Sequence, residues 1–263
     1  MIRQTLKADN TAEPSALGPA LLELQAISLD GRGQQRLEAI KLCVQPGERI
    51  ALIGASGAGK SSLLAVANGL LKANSGAVLW QGAPPAKSRR HRRRQQARIG
   101  TLWQDLRLIE ELTVQQNLNG ARLAQWGWPK ALLNLLLPLE TGPCAAALER
   151  VDLDRALLDR PVASLSGGQR QRVAIARLLR QESLLVLADE PLASLDPRLA
   201  EELLALLLEY TRAPRALVMS LHRPDLLVGF DRVVGLRAGR VQFDQPVDQL
   251  AQSQLTALYA SSL

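Results

Sequence analysis

Residues 49–64 read RIALIGASGAGKSSLL: an arginine and a four-residue apolar run, then six residues holding three glycines, then a lysine and two serines. Gly54-Ala-Ser-Gly-Ala-Gly-Lys-Ser61 fits the pattern GxxxxGK[ST], a phosphate loop. Gly54, Gly57 and Gly59 let backbone amides wrap a phosphate chain without a Cβ in the way, and Ser56 lies within the same turn. Lys60 reaches the terminal phosphates and the Ser61 hydroxyl ligates Mg²⁺. The pattern is short enough to arise by chance, so its setting decides. A buried strand, Arg49–Ile53, precedes it, and a helix from Lys60 to Leu71 follows. That strand–loop–helix order is what phosphate binding requires.

Outward from this unit the chain reads as α/β. Residues 21–53 alternate short apolar runs with turn signals at Asp30-Gly31 and Pro46-Gly47, the mark of an antiparallel sheet leading into the buried strand. Short strands are predicted at 76–81 and 99–103. Residues 105 to about 165 are helical and leucine-rich, punctuated by Pro129, Pro138 and Pro143. Leu184-Leu-Val-Leu-Ala188 is continuously apolar, as expected of a parallel strand covered on both faces. A helix over Arg198–Tyr210 and strands at 216–220 and 232–236 complete a parallel-sheet core with a helical subdomain inserted at about 105–165. Residues 1–20 read as a flexible tail without a signal-peptide apolar stretch, so 21–263 is the folded domain.

Composition narrows the partners. No run approaches the about 18 apolar residues that span a bilayer, and the longest, 131–139, is broken by Pro138; any membrane role is peripheral. Cys43 and Cys144 lie far apart without CxxC spacing and read as ordinary thiols in a reducing compartment. The net charge is +7, and residues 87–98, KSRRHRRRQQAR, hold seven Lys/Arg and no acid, equal to the whole excess. Such a run binds nucleic acid or an anionic membrane face, or is a solvated helix surface. It has no interleaved aromatics for base stacking, which favours the solvated surface.

Two further constellations carry chemistry. Asp189 and Glu190 follow the strand 184–188 at its C-terminal end, where open parallel sheets bind ligands. One carboxylate there holds the Mg²⁺ shell and its neighbour polarises a water for attack on the γ-phosphate. The stretch 164–179, SLSGGQRQRVAIARLL, opens a helix with a serine and two glycines, a second anion seat at free amides and the positive end of a helix dipole.

In this order the motifs resemble the ATP-binding cassette family, the nucleotide-hydrolysing subunits of ABC transporters, over nearly all of residues 21–245. Walker A is Gly54–Ser61 with Ser62 completing it, the Q-loop glutamine is Gln104 in TLWQDL, and the signature is Leu165-Ser-Gly-Gly-Gln169. Walker B ends at Asp189 followed by Glu190, the D-loop is Ser194-Leu-Asp196, and the switch histidine is His222 in MSLHRPDL. The resemblance implies a RecA-like parallel core with an N-terminal antiparallel β subdomain and a helical subdomain. It also implies two copies packed head to tail, each ATP lying between the Walker A of one and the signature of the other. The second anion seat therefore serves the partner's nucleotide, gripped by Ser166, Gly167, Gly168 and Gln169. Gln104 touches Mg²⁺ or the attacking water, His222 bonds the γ-phosphate, and Asp196 crosses the interface. Within the family, GASGAGKSSLL, RIGTLWQDLRLIEELTVQQNL, LADEPLASLDP and GLRAGRVQFDQP are similar to the ATPase subunits of phosphonate importers and their phosphite relatives. That likeness implies an integral membrane permease, an extracytoplasmic binding protein, and a peripheral place on the cytoplasmic face of the membrane. A soluble ABC ATPase acting on nucleic acid, a non-catalytic cassette, and the ATPase of another import system stand as alternatives. Intact Lys60, Asp189, Glu190 and His222 argue against the non-catalytic one. One departure concerns the base: where many cassettes place an adenine-stacking aromatic, this chain has Leu29-Asp-Gly-Arg-Gly33, leaving the guanidinium of Arg32 or Arg36 as a substitute.

Overall fold

The computed structural model describes residues 19–31, 35–193 and 195–260, so all but the last two residues of the tail expected over residues 1–20, and also Arg32 and Ser194, lie outside the described residues. In chain order the elements are β1 (Leu22–Asp30), β2 (Gln35–Val44), β3 (Arg49–Ile53), α1 (Lys60–Ala67), β4 (Ser75–Trp80), α2 (Arg89–Gln96) and β5 (Ile99–Leu102). Then come α3 (Val114–Asn119), α4 (Trp128–Leu136), α5 (Thr141–Glu149), α6 (Gly167–Gln181), β6 (Leu185–Asp189) and α7 (Pro197–Tyr210). The chain ends in β7 (Ala216–Leu221), β8 (Arg232–Arg237), β9 (Arg240–Pro246) and α8 (Gln252–Tyr259).

Two sheets form. The smaller, ordered β2-β1-β4, is antiparallel; the larger runs β5-β6-β7-β3-β8-β9, parallel except for β9. The two-residue period of the parallel strands divides the interior in two. Ile50, Leu52, Leu185, Leu187, Ala216 and Val218 face α1 and the small sheet. Their alternates Ala51, Ile53, Val186, Ala188, Leu217 and Met219 face α6, α7 and the residues of α3 and α5. Strands buried on both faces read as unbroken apolar runs.

Two details depart from the sequence expectation. α1 stops at Ala67 rather than Leu71, because Gly69 takes φ +80 and turns the chain left-handed. β9 was not anticipated: Ala238 and Gly239 at φ +47 and +75 make a two-residue hairpin turn, and β9 alternates in burial as an edge strand does. The stretch 105–165, expected to be helical with prolines as punctuation, forms three short α-helices with turns between them. Pro129 sits at the start of α4, where a missing N–H costs nothing, and Pro138 follows its end. No single helix among the described residues is long and apolar enough to cross a membrane. Cys43 and Cys144 are free thiols; burial pushes Cys144 up to about 11, so it stays protonated at neutral pH.

Candidate nucleotide site

The parallel order gathers four chain segments at one sheet edge. β3 lies between β7 and β8, with Ile53 paired to Leu221, and β6 pairs with β7 through Asp189 and Ser220. The residues that follow these strands therefore emerge side by side: Gly54 after β3, Glu190 after β6, His222 after β7. β5 pairs with β6 and delivers Trp103 and Gln104 to the same edge.

The loop 54–59 needs its glycines. Gly54, Gly57 and Gly59 take φ of +153, +80 and +106, and a Cβ on Gly54 would lie 2.2 Å from the Leu236 carbonyl. A Cβ on Gly57 would meet nothing within 4 Å, so that position is an open cradle with the amides of the α1 N-terminus behind it. Lys60 is folded back into the loop: its Nζ donates to the Gly54 carbonyl at 2.8 Å and lies 3.4 Å from Glu190 Oε1. The other oxygen of Glu190 is 2.6 Å from His222 Nε2. One carboxylate thus bridges the Walker A lysine and the histidine after β7.

Glu190 takes φ +48, a left-handed conformation that costs a non-glycine residue about 1–2 kcal/mol. Ser220 supports it. Its buried hydroxyl donates to Asp189 Oδ1 at 2.8 Å and accepts from the Glu190 backbone N–H at 2.9 Å, fixing both acids with one atom. Ser220 carries no motif and sequence reasoning did not single it out; its place two residues before His222 was the available signal. Replacing Ser220 by Ala leaves two buried groups unpaired, and a loss of about 1–3 kcal/mol in urea-unfolding stability is expected, with slower ATP turnover. Ser220→Thr, which keeps the hydroxyl, restores both; an Ala variant as stable and as active as the parent refutes the support role.

A cleft of ≈ 590 Å³ lies beside the loop and is lined by Ser61, Ser62, Gln104 and Asp189, with Arg36 and Trp103. Its oxygen donors are the Asp189 and Asp105 carboxylates, the Ser61 and Ser62 hydroxyls and the Gln104 amide, and among the described residues no cluster of three or more His, Cys, Asp or Glu is arranged to hold a metal ion. Such a set suits Mg²⁺ shared with phosphate oxygens and not an all-protein cage. The loop after Gln104 is tied to α6 by Arg177, whose guanidinium donates to the carbonyls of Arg107 and Leu106, both at 2.6 Å. From the chain's end α8 brings Tyr259 to this edge, where burial raises its phenol pKa, the Gly54 backbone opposes that, and the Glu190 charge adds to it.

The signature residues stand apart. Ser166 caps α6: its Oγ accepts from the Gln169 N–H at 3.2 Å and Gln169 Oε1 accepts from the Ser166 N–H at 3.0 Å. Ser166 and Gly167 are exposed, and Gly167 has open space where a Cβ would be. None of residues 166–169 lines the cleft with Ser61. Asp196 is exposed and caps α7, accepting from Leu199 N–H at 3.0 Å.

A glycine loop on a β-strand, a lysine inside it and an acid pair at the end of β6, one strand removed across β7, define a P-loop nucleotide-binding protein. The family model of the ABC transporter matches residues 37–193. The chain belongs to the ABC transporter family. It is 44% identical over 245 residues to the phosphonates import ATP-binding protein PhnC 1 of Pseudomonas aeruginosa, covering 90% of this chain and 91% of that protein. It is 40% identical over 232 residues to the PhnC protein of Alcaligenes faecalis, covering 87% and 84%. Among solved structures, cbiO1 of Clostridium perfringens superposes with a TM-score of 0.73 at 26% identity, over 91% of this chain and 94% of that one. The cassette MJ0796, solved as a post-hydrolysis dimer with ADP and Pi, gives 0.71 at 25% identity, over 86% and 98%.

Proposed function

We propose that two copies of this chain pair head to tail around two Mg·ATP, and that hydrolysis drives import of a phosphonate or related phosphorus oxyanion through a membrane permease. The observation that carries the ATPase reading is the contact chain Lys60–Glu190–His222 at the strand edge. In it Gly54, Ser56, Gly57, Gly59, Lys60, Ser61 and Ser62 bind the phosphates. Glu190 is the base that takes a proton from the attacking water, and His222 orients the water and the γ-phosphate. Ser61, Asp189 and Gln104 would hold Mg²⁺, which when bound neutralises charge on the phosphate oxygens.

The signature's exposure supports the two-copy reading. The Ser166 hydroxyl accepts from Gln169 within its own chain, so its proton is free to be given to a phosphate held by another. Gly167 and Gly168 let that phosphate approach the α6 amides, Gln169 keeps the cap closed, and Asp196 sits at the start of α7 facing the second copy. Without an aromatic before Pro46, Arg36, already in the cleft, is placed to stack on the base.

The permease would dock on the cytoplasmic side, and α4 presents an apolar surface of the kind that marks partner contacts: Trp128 and Leu136 are 79% and 75% exposed. An extracytoplasmic binding protein would deliver the cargo. Movement at Gln104 would reach α6 through Arg177 and so the helical subdomain. The cargo reading rests on the phosphonate names of the relatives. Deleting the gene is expected to abolish growth on methylphosphonate as sole phosphorus source and leave growth on inorganic phosphate intact; unimpaired growth on both methylphosphonate and phosphite would refute it.

A further inference from the structure

The basic run 87–98 takes no part in the nucleotide site. α2 carries Arg89, Arg90, Arg93 and Arg94, and the i, i+4 spacing of 89 with 93 and 90 with 94 sets them along one side of the helix. They line a cleft of ≈ 800 Å³ with Arg98, whose opposite wall is residues 123–127 together with Gln181 and Glu182. Five guanidiniums in one cleft repel one another unless something negative lies between them.

The cleft's own groups do not supply that charge. Among the described residues none of the five arginines forms an ion pair. Glu182, the wall's one carboxylate, lies 3.2 Å from Arg122. The Gln181 amide donates to the carbonyls of Ala97 and Ile99 at 3.1 and 3.0 Å. The Trp126 ring carries the Lys130 ammonium over one face, 4.4 Å from its centre. Arg98 alone has a side-chain partner, the neutral Gln81 Oε1 at 2.6 Å.

We infer that this cleft is a second anion site, apart from the ATP site, for a ligand bearing phosphate or phosphonate groups with at least two negative charges. Guanidinium forks match such oxygens two at a time, which lysines cannot do. A concave wall on one side and a short helix on the other suit a compact anion or a lipid headgroup better than a long polyanion.

The test uses the full chain with its ATP site saturated by Mg²⁺ and a non-hydrolysable ATP analogue, at about 0.15 M salt to screen loose association. Inorganic pyrophosphate is titrated calorimetrically into the parent and into the variant R89Q/R93Q/R94Q. Glutamine keeps the helix propensity of arginine, and an unchanged analogue affinity shows that the fold is intact. One saturable site that weakens about tenfold or more in the variant is expected. A parallel arm measures flotation with phosphatidylglycerol vesicles: variant-sensitive flotation that pyrophosphate competes away assigns the anion to a lipid headgroup, and pyrophosphate binding without flotation assigns it to a free anion. Equal affinities in parent and variant, no binding in either arm, or binding of an oligonucleotide alone would overturn the inference.

Discussion

Replacing Glu190 by Gln is expected to leave ATP binding intact and to lower turnover by about 10²–10⁴, the range for loss of a positioned general base. The substitution keeps size and shape. The amide can still bond His222, now 2.6 Å from Glu190 Oε2, and the backbone N–H still reaches Ser220. Only the negative charge and the capacity to take a proton are lost. The charge stands 3.4 Å from Lys60, so its removal frees that ammonium for a phosphate, and nucleotide affinity is expected to hold or rise. Fluorescent-nucleotide titration and single-turnover hydrolysis separate the two effects. Turnover within about tenfold of the parent, with binding unchanged, would take the base role away from Glu190. His222→Ala provides the companion measurement: it leaves the carboxylate in place and removes its neighbour.

Much of this was legible in the chain, and the reason is locality. A phosphate loop is set by consecutive residues, so Gly54–Ser61 announces both its strand and its helix. β6 and β7 are buried on two faces and must be apolar throughout, which makes them readable without knowledge of their neighbours. The acids Asp189 and Glu190 are legible because they end such a strand. Ser220 is not, because its role depends on β7 lying beside β6 in a register that pairs it with Asp189. Tyr259 likewise gains its place only when α8 returns to the loop, held by the bonds from Arg237 to the carbonyls of Ala257 and Ala260. β9 was lost for a different reason: its alternating, half-polar pattern is weak, and only the Ala238-Gly239 turn marks it. The arginines of α2 show the converse. The charge was obvious, but whether it faced solvent or a concavity is a tertiary fact.

The two-copy arrangement makes a sharper prediction at Ser166. Aspartate caps helices as well as serine does, so Ser166→Asp keeps α6 closed through the Gln169 N–H while placing a negative charge where the other copy's γ-phosphate would approach. Hydrolysis is expected to fall about 10²-fold or more, through loss of a donor at the developing charge and repulsion in its place. Nucleotide binding by the isolated chain should hardly change, since no residue of 166–169 lines the cleft with Ser61. A Lys60→Ala chain fails for the opposite reason: its phosphate loop is crippled and its signature intact. Mixed in equal amounts, the two inactive proteins form mixed dimers about half the time. Each mixed dimer has one site built from two sound halves and one built from two damaged halves. About a quarter of parental activity should return if the sites act independently. Cooperative sites would return less, so ATP-driven dimerisation is measured beside it, by light scattering in the Glu190→Gln background. Adding Ser166→Asp should abolish dimerisation there while monomer binding persists. Full activity in Ser166→Asp alone, or dimerisation indifferent to it, would mean that α6 serves its own chain, and the shared-site reading would fall.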